Sequence, residues 1–289
     1  MKNFILLNYN IEVDKIYSDK YFFVNDEKIY IIRTNKKDKE IDYLAALSNE
    51  LFLNGIKVNT FIINNEKKYF TKKDNINIVL LRVNEYENDF NINDIIRFQN
   101  INSDLENVNI IDKWSKTIDD LENELVDYNE EYQLIQNSID YFIGMGENAI
   151  SLLNNHKDKI VNDSIGHLIN YKVFNKCILN NPFNFIKINK MYDIANYIKY
   201  KLLTNRVDYD EIDIIINNNS DIENIYLFSC MMFPNIYFDL VNNIIKENET
   251  EETLNKIINI IKDHRILLIN MQNSMKNVKD VKLITWLSD

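Results

Sequence analysis

The chain has 289 residues, 46% of them hydrophobic and 27% charged, with 17 tyrosines and 15 phenylalanines. That length suits two lobes better than one core, and so much apolar surface offsets the chain entropy of folding and excludes a disordered protein. The formal net charge of −11 repels phosphate backbones and anionic membranes at long range, which argues against nucleic acid or a membrane as partner.

The opening Met1 to Asn8 holds an apolar run too short for a signal peptide, and no later stretch reaches the roughly 18 apolar residues of a membrane span, so a cytoplasmic protein is expected. From Lys15 to Thr34, β-rich runs Tyr21 to Val24 and Lys28 to Arg33 flank the turn-forming Asn25-Asp26-Glu27, which predicts a hairpin. Ile41, Leu44, Leu47 and Leu51 then recur at helical spacing, and Asn54-Gly55 can close that helix with a left-handed cap. Val58 to Ile63, Lys68 to Thr71 and Ile76 to Val83 read as three further strands. The order over residues 1–85 is therefore ββ-α-βββ, a β-rich lobe with one inserted helix.

Beyond Asn84 the period changes. Ile111, Trp114, Ile118, Leu121 and Leu125 form a helical seam, and helical segments continue, including amphipathic stretches from Ile222 to Lys246 and from Glu251 to Gln272. Residues 86–289 are read as a mainly helical lobe, joined to the first by a short hinge between Asn84 and Asn91. Cys177 and Cys230 lie far apart without CxxC spacing, so both read as core thiols. Two of only four glycines fall in Gly144-Met145-Gly146, where glycine serves close backbone approach or positive φ at a helix start, with Glu147 in the first turn. The histidines, His156, His167 and His264, stand in no metal-binding spacing, and there is no GxSxG elbow or GxxxxGK[ST] loop.

The segment Tyr141-Phe142-Ile143-Gly144-Met145-Gly146-Glu147-Asn148-Ala149-Ile150 resembles a signature of the bacterial spore-coat kinase-like proteins of the CotS and YutH type, relatives of aminoglycoside and choline kinases. Phe228 to Phe238 is similar to that family's C-terminal lobe motif, Ile284-Thr285-Trp286-Leu287 to its ending, and Trp114 with Asp119, Asp120 and Glu122 to the helix before the signature. The resemblance implies an α+β, protein-kinase-like fold of two lobes, a small antiparallel-sheet N-lobe and a larger, mainly helical C-lobe.

A working kinase of this fold needs an Asp to orient the acceptor hydroxyl, an Asn and a second Asp for magnesium, and a third-strand Lys paired with a helix Glu. The resemblance assigns the loop to His167, with Ile169 where the Asp is expected and Phe174 where the Asn is expected. Both charge-bearing positions are apolar. Asn189 stands at the place of the metal-binding Asp, and its neutral amide would hold magnesium more weakly than a carboxylate. Asp193, in Tyr192-Asp193-Ile194-Ala195, resembles a second acid that starts a helix, and N-capping is the reading preferred for it over catalysis. Arg33 is near the third-strand Lys position and Glu50 sits on the next helix, where the two could pair as the cofactor-binding charges, although an Arg does not substitute freely for that Lys.

The leading expectation is a catalytically inactive, kinase-like interaction protein of the spore coat or of sporulation, with no cofactor and a protein partner, such as other spore-coat proteins. The alternative is an active phosphotransferase that uses ATP and Mg2+, with Asp163 or Asp193 as its acid.

Overall fold

The computed structural model describes residues 1–84, 91–125, 132–168, 179–246, 248–275 and 278. Two compact units emerge: one is Met1–Arg97 together with Asn175–Phe185, the other Phe98–Phe174 together with Ile186–Asp289.

The first unit opens with a helix that the sequence reading did not anticipate, α1 (Lys2–Tyr9), closed by Asn10 at φ 54 with its N–H on the Leu6 carbonyl. The sheet follows: β1 (Ile16–Tyr17), β2 (Tyr21–Val24), β3 (Glu27–Thr34), β4 (Thr60–Phe61), β5 (Thr71–Lys73) and β6 (Ile76–Arg82). Its strand order is β1-β2-β3-β6-β4, with β5 also on β6, and every pairing is antiparallel. The expected hairpin is β2–β3. Asn25 and Asp26 both take positive φ, 47 and 66, as a two-residue turn matched to strand twist requires.

Side chains alternate across β3, and α1 explains one side of that alternation. Ile5 and Tyr9 pack on Phe22, Ile29, Ile31, Ile78 and Leu80, and the Tyr9 hydroxyl donates to the Ile78 carbonyl at 3.1 Å. The opposite parity carries an aromatic group: Tyr21 lies 5.3 Å from Tyr17, 5.8 Å from Phe23 and 6.2 Å from Tyr30, with the Lys28 ammonium 4.3 Å from the Tyr21 ring centre.

Helix α2 (Asp38–Leu53) buries Ile41, Leu44, Leu47 and Leu51, as the spacing predicts. Gly55 ends it at φ +85. The Ser48 hydroxyl donates to the Asn59 carbonyl at 2.6 Å and ties the helix to the approach of β4. The strands expected at Val58 to Ile63 and Lys68 to Thr71 are shorter or displaced. Asn64 takes over the local backbone, accepting from the Glu66 and Lys68 amides and donating to the Phe70 carbonyl, so the chain closes a loop where ladder pairing was expected.

In the second unit, α4 (Ile110–Leu125) follows α3 (Ile92–Ile96), which belongs to the first unit. Then come α5 (Gln133–Asn154), the two-stranded sheet β7 (Ser164–His167) and β8 (Phe185–Ile188), and the helices α6 (Met191–Leu203), α7 (Tyr209–Asn217), α8 (Asp221–Met232), α9 (Asn235–Ile245), α10 (Leu254–Asn259) and α11 (Ile261–Ser274). The seam Trp114, Ile118 and Leu121 is buried.

Gly144 and Gly146 lie inside α5, and the expected helix start there is corrected. Close approach is the use of Gly146: an added Cβ would stand 2.9 Å from Ile118 Cδ1 and 3.4 Å from Phe238. The stretch from Ile222 to Lys246 is two helices, because Pro234 has no N–H to continue the ladder. Aromatic stacking fills that bend, Trp114 on Phe233 at 4.2 Å and Phe142 on Tyr237 at 3.7 Å. The last amphipathic stretch also divides, at Ile260.

Candidate functional site

The site singled out by the sequence is built on β7, β8 and the start of α6. β7 is buried at every residue, and Gly166 lets β8 approach it: a Cβ there would fall 2.3 Å from Ile188 Cγ2 and 3.6 Å from Asp193 Oδ1. No other residue type fits without displacing the strand. Gly166 was missed in the sequence, although a glycine directly before His167 in an apolar run was its available signal.

His167 is fully buried, with its ring edge-on to Phe98 at 4.7 Å. Asp193 is 3% exposed and grips it twice: Oδ2 lies 2.6 Å from the ring Nδ1 and Oδ1 accepts from the His167 amide at 3.2 Å. A carboxylate can only accept, so Nδ1 carries the proton in this pair. The capping role weighed for Asp193 is corrected, since it sits in the first turn of α6 after the N-cap Lys190 and its oxygens bind the end of β7. That position also favours a negative charge, because it lies at the positive end of the helix dipole.

Asn189, 5% exposed, is likewise engaged on both sides. Its oxygen accepts from the Met191 amide at 3.0 Å and its nitrogen donates to the Val161 carbonyl at 2.9 Å. The residue thus holds the start of α6 and the approach to β7 together. Asp163 is exposed, and its Oδ1 accepts from the Ser164 hydroxyl at 3.1 Å. Ile169, Phe174 and Cys177 lie outside the described residues, as does the C-terminal Ile284 to Leu287.

The pairing considered for Arg33 and Glu50 does not form; both are exposed and no ion pair joins them among the described residues. Strand parity is the reason. Arg33 pairs with Ile78 and shares the parity of Ile29 and Ile31, the side covered by α1, and the cluster on that side contains no residue of α2. The β3 residues of opposite parity are Lys28, Tyr30, Ile32 and Thr34.

Behind the His167–Asp193 pair lies a buried polar layer. Burial raises the Tyr192 and Tyr226 hydroxyls well above their ordinary range and pushes the Cys230 thiol up to about 12, so all three stay protonated at neutral pH. Burial also pushes the Lys199 ammonium down to about 8. On α11, His264 places Nε2 2.9 Å from the Met231 carbonyl, and burial with the nearby Lys199 pushes it down to about 4, so it stays neutral at pH 7.

A magnesium ion prefers hard, charged oxygens in an octahedron. Asp193 is committed to His167 and Asn189 to two backbone groups. Among the described residues no three His, Cys, Asp or Glu side chains converge on a point that could hold a metal. Among the described residues the donor set does not fit the ion.

Residues 2–268 match the family model described as "Spore coat putative kinase YutH". The chain belongs to this family. The YutH-type match takes in residues of both units. In structure it is similar to an aminoglycoside phosphotransferase from Alicyclobacillus acidocaldarius subsp. acidocaldarius DSM 446, with a TM-score of 0.69 at 10% identity over 96% of this chain and 97% of that one. It is also similar to a spectinomycin phosphotransferase solved with ADP and spectinomycin, with a TM-score of 0.56 at 12% identity over 99% of this chain and 96% of that one. No curated protein matches the sequence. At such identities the likeness shows the fold: an antiparallel-sheet N-terminal part and a mostly helical C-terminal part, the kinase-like fold of the aminoglycoside phosphotransferases. Among the described residues no helix is long and apolar enough to cross a membrane.

Proposed function

We propose that this YutH-family chain is a kinase-shaped protein of the spore coat that does not transfer phosphate and acts by holding another protein, with other coat proteins as the expected partners. The observation that carries the reading is the His167–Asp193 pair. Among the described residues, the carboxylate bonded to His167 is that of Asp193, which is buried and engages both of its oxygens there, so it is turned to holding the strand and not to an acceptor hydroxyl or a metal. With apolar Ile169 at the position assigned to the orienting Asp, nothing accepts the hydroxyl proton. General base help alone contributes about 10² to 10⁴ in rate, and losing charged metal ligands as well leaves little turnover to detect.

A second reading keeps a phosphotransferase, supported by the whole-chain likeness in fold and by the exposed carboxylate of Asp163 beside Ser164. The test is direct. Purified protein with magnesium and ATP is expected to give no phosphotransfer above background to aminoglycosides, choline-like alcohols or itself. Turnover abolished by Asp163→Asn or Asp193→Asn would refute the first reading in favour of the second. Magnesium-dependent thermal stabilisation by ATP without turnover would mark a protein that keeps the nucleotide as a structural ligand.

A further inference from the structure

Lys199 on α6 is 7% exposed, yet among the described residues its bonded partners include no carboxylate. Its Nζ donates to the Phe233 carbonyl and to Asn235 Oδ1, each at 2.7 Å. Both acceptors are neutral, and an ammonium has a third N–H. The charged and titratable groups around it do not supply the missing partner. Cys230 on α8 keeps its proton, His264 on α11 is neutral, and Asp239 on α9 acts only at longer range. A cation buried on these terms is ordinarily compensated by an anion.

The place where that anion could sit is a pocket with Lys199 in its wall. Phe142, Leu202, Met231, Ile236, Ile257 and Ile260 give it a mostly apolar lining around a cavity of about 50 Å³ that is partly open to solvent. Among the described residues the lining offers one cation; its other polar side chains, Asn235, Tyr237 and His264, are bonded to Lys199, Ser138 and the Met231 carbonyl, and the remaining wall is mostly hydrocarbon. A dianion such as a phosphate monoester would leave its second charge against those walls, and a polyol would leave hydroxyls unbonded. A single carboxylate on an apolar tail satisfies both features.

We propose that this pocket binds a small apolar monocarboxylate, with the carboxylate on Lys199 Nζ and the tail against Phe142, Ile257 and Ile260. The bond formed is charge-assisted and completes the third donor of the ammonium. The site lies within the helical unit and does not involve His167, Asp193 or Asn189, so it stands whether or not the chain transfers phosphate.

Octanoate is the probe, titrated calorimetrically into the full chain, with 1-octanol as the uncharged control of equal tail length. Octanoate is expected to saturate one site in the micromolar to millimolar range and to bind about tenfold or more tighter than the alcohol. Its affinity should fall as the pH rises through about 8, where Lys199 loses its charge. Lys199→Met should remove the preference for the acid over the alcohol and the pH dependence together. Ile257→Trp fills the pocket from a half-buried position without touching the amine, and should weaken both ligands if Lys199→Met does not fold. No octanoate binding at millimolar concentration, equal affinity for the alcohol, or an unchanged octanoate affinity in Ile257→Trp would overturn the proposal.

Discussion

Gly166→Ala examines the framework of the site most sharply. The added methyl would lie 2.3 Å from Ile188 Cγ2, far inside van der Waals contact, with the Asp193 carboxylate oxygens at 3.6 and 3.7 Å behind it. Strand β7 or β8 must move, and Asp193 cannot follow without loosening its 2.6 Å contact with His167. Overpacking of this kind costs about 1 to 3 kcal/mol, and the disturbed buried hydrogen bonds place this site at about 3 kcal/mol or above. Ile188→Ala alone opens a cavity and costs about 2 to 5 kcal/mol. In the double variant the two defects meet: the new methyl occupies part of the space that Ile188 vacates, so the combined cost should fall below the sum by about 0.5 to 3 kcal/mol. Urea unfolding followed by tryptophan fluorescence gives all four corners of the cycle. Strict additivity, or a Gly166→Ala chain as stable as the original, would refute the argument that this glycine sets the β7–β8 distance.

Three more outcomes follow from the same geometry. Leu47→Ala should cost about 2 to 5 kcal/mol in urea unfolding, because Leu47 is buried on α2 between Leu44 and Leu51; a cost below about 0.5 kcal/mol would mean that this face is not packed. Asp193→Ala should destabilise by about 3 to 5 kcal/mol and Asp193→Asn by less, since the amide oxygen can still accept from His167, and equal costs would argue against the pair as the anchor of β7. On the acid side, His264 is held near 4, below its unfolded value of about 6.5, so the unfolded chain binds the proton first and stability falls as the pH drops from about 6.5 toward 4. His264→Gln should flatten that part of a stability-against-pH curve, and an unchanged slope would show that the histidine already titrates freely.

The spacing of apolar residues was enough for the helix over residues 38–53 and its inward face, because a 3.6-residue period has one buried side whatever it packs against. The β2–β3 hairpin was equally local, set by Asn25 and Asp26 accepting positive φ. The kinase-like order of an antiparallel-sheet part followed by a mostly helical part was legible as well, since the hydrophobic period changes from strand to helix along the chain. Long-range packing decided the rest. Short apolar α1 could be read as a helix only through the sheet face it covers, and that cover put Arg33 on the side away from the partner expected for it. Pro234 could be seen in the sequence, but not that Met231 and Phe233 would find His264 and Lys199 as donors for their carbonyls, from residues 33 and 34 positions away. Asp193 likewise looked like a helix cap from its neighbours. Only the fold brings it to His167, 26 residues distant, because a buried carboxylate goes to whichever donors the packed chain sets beside it and local sequence does not name them.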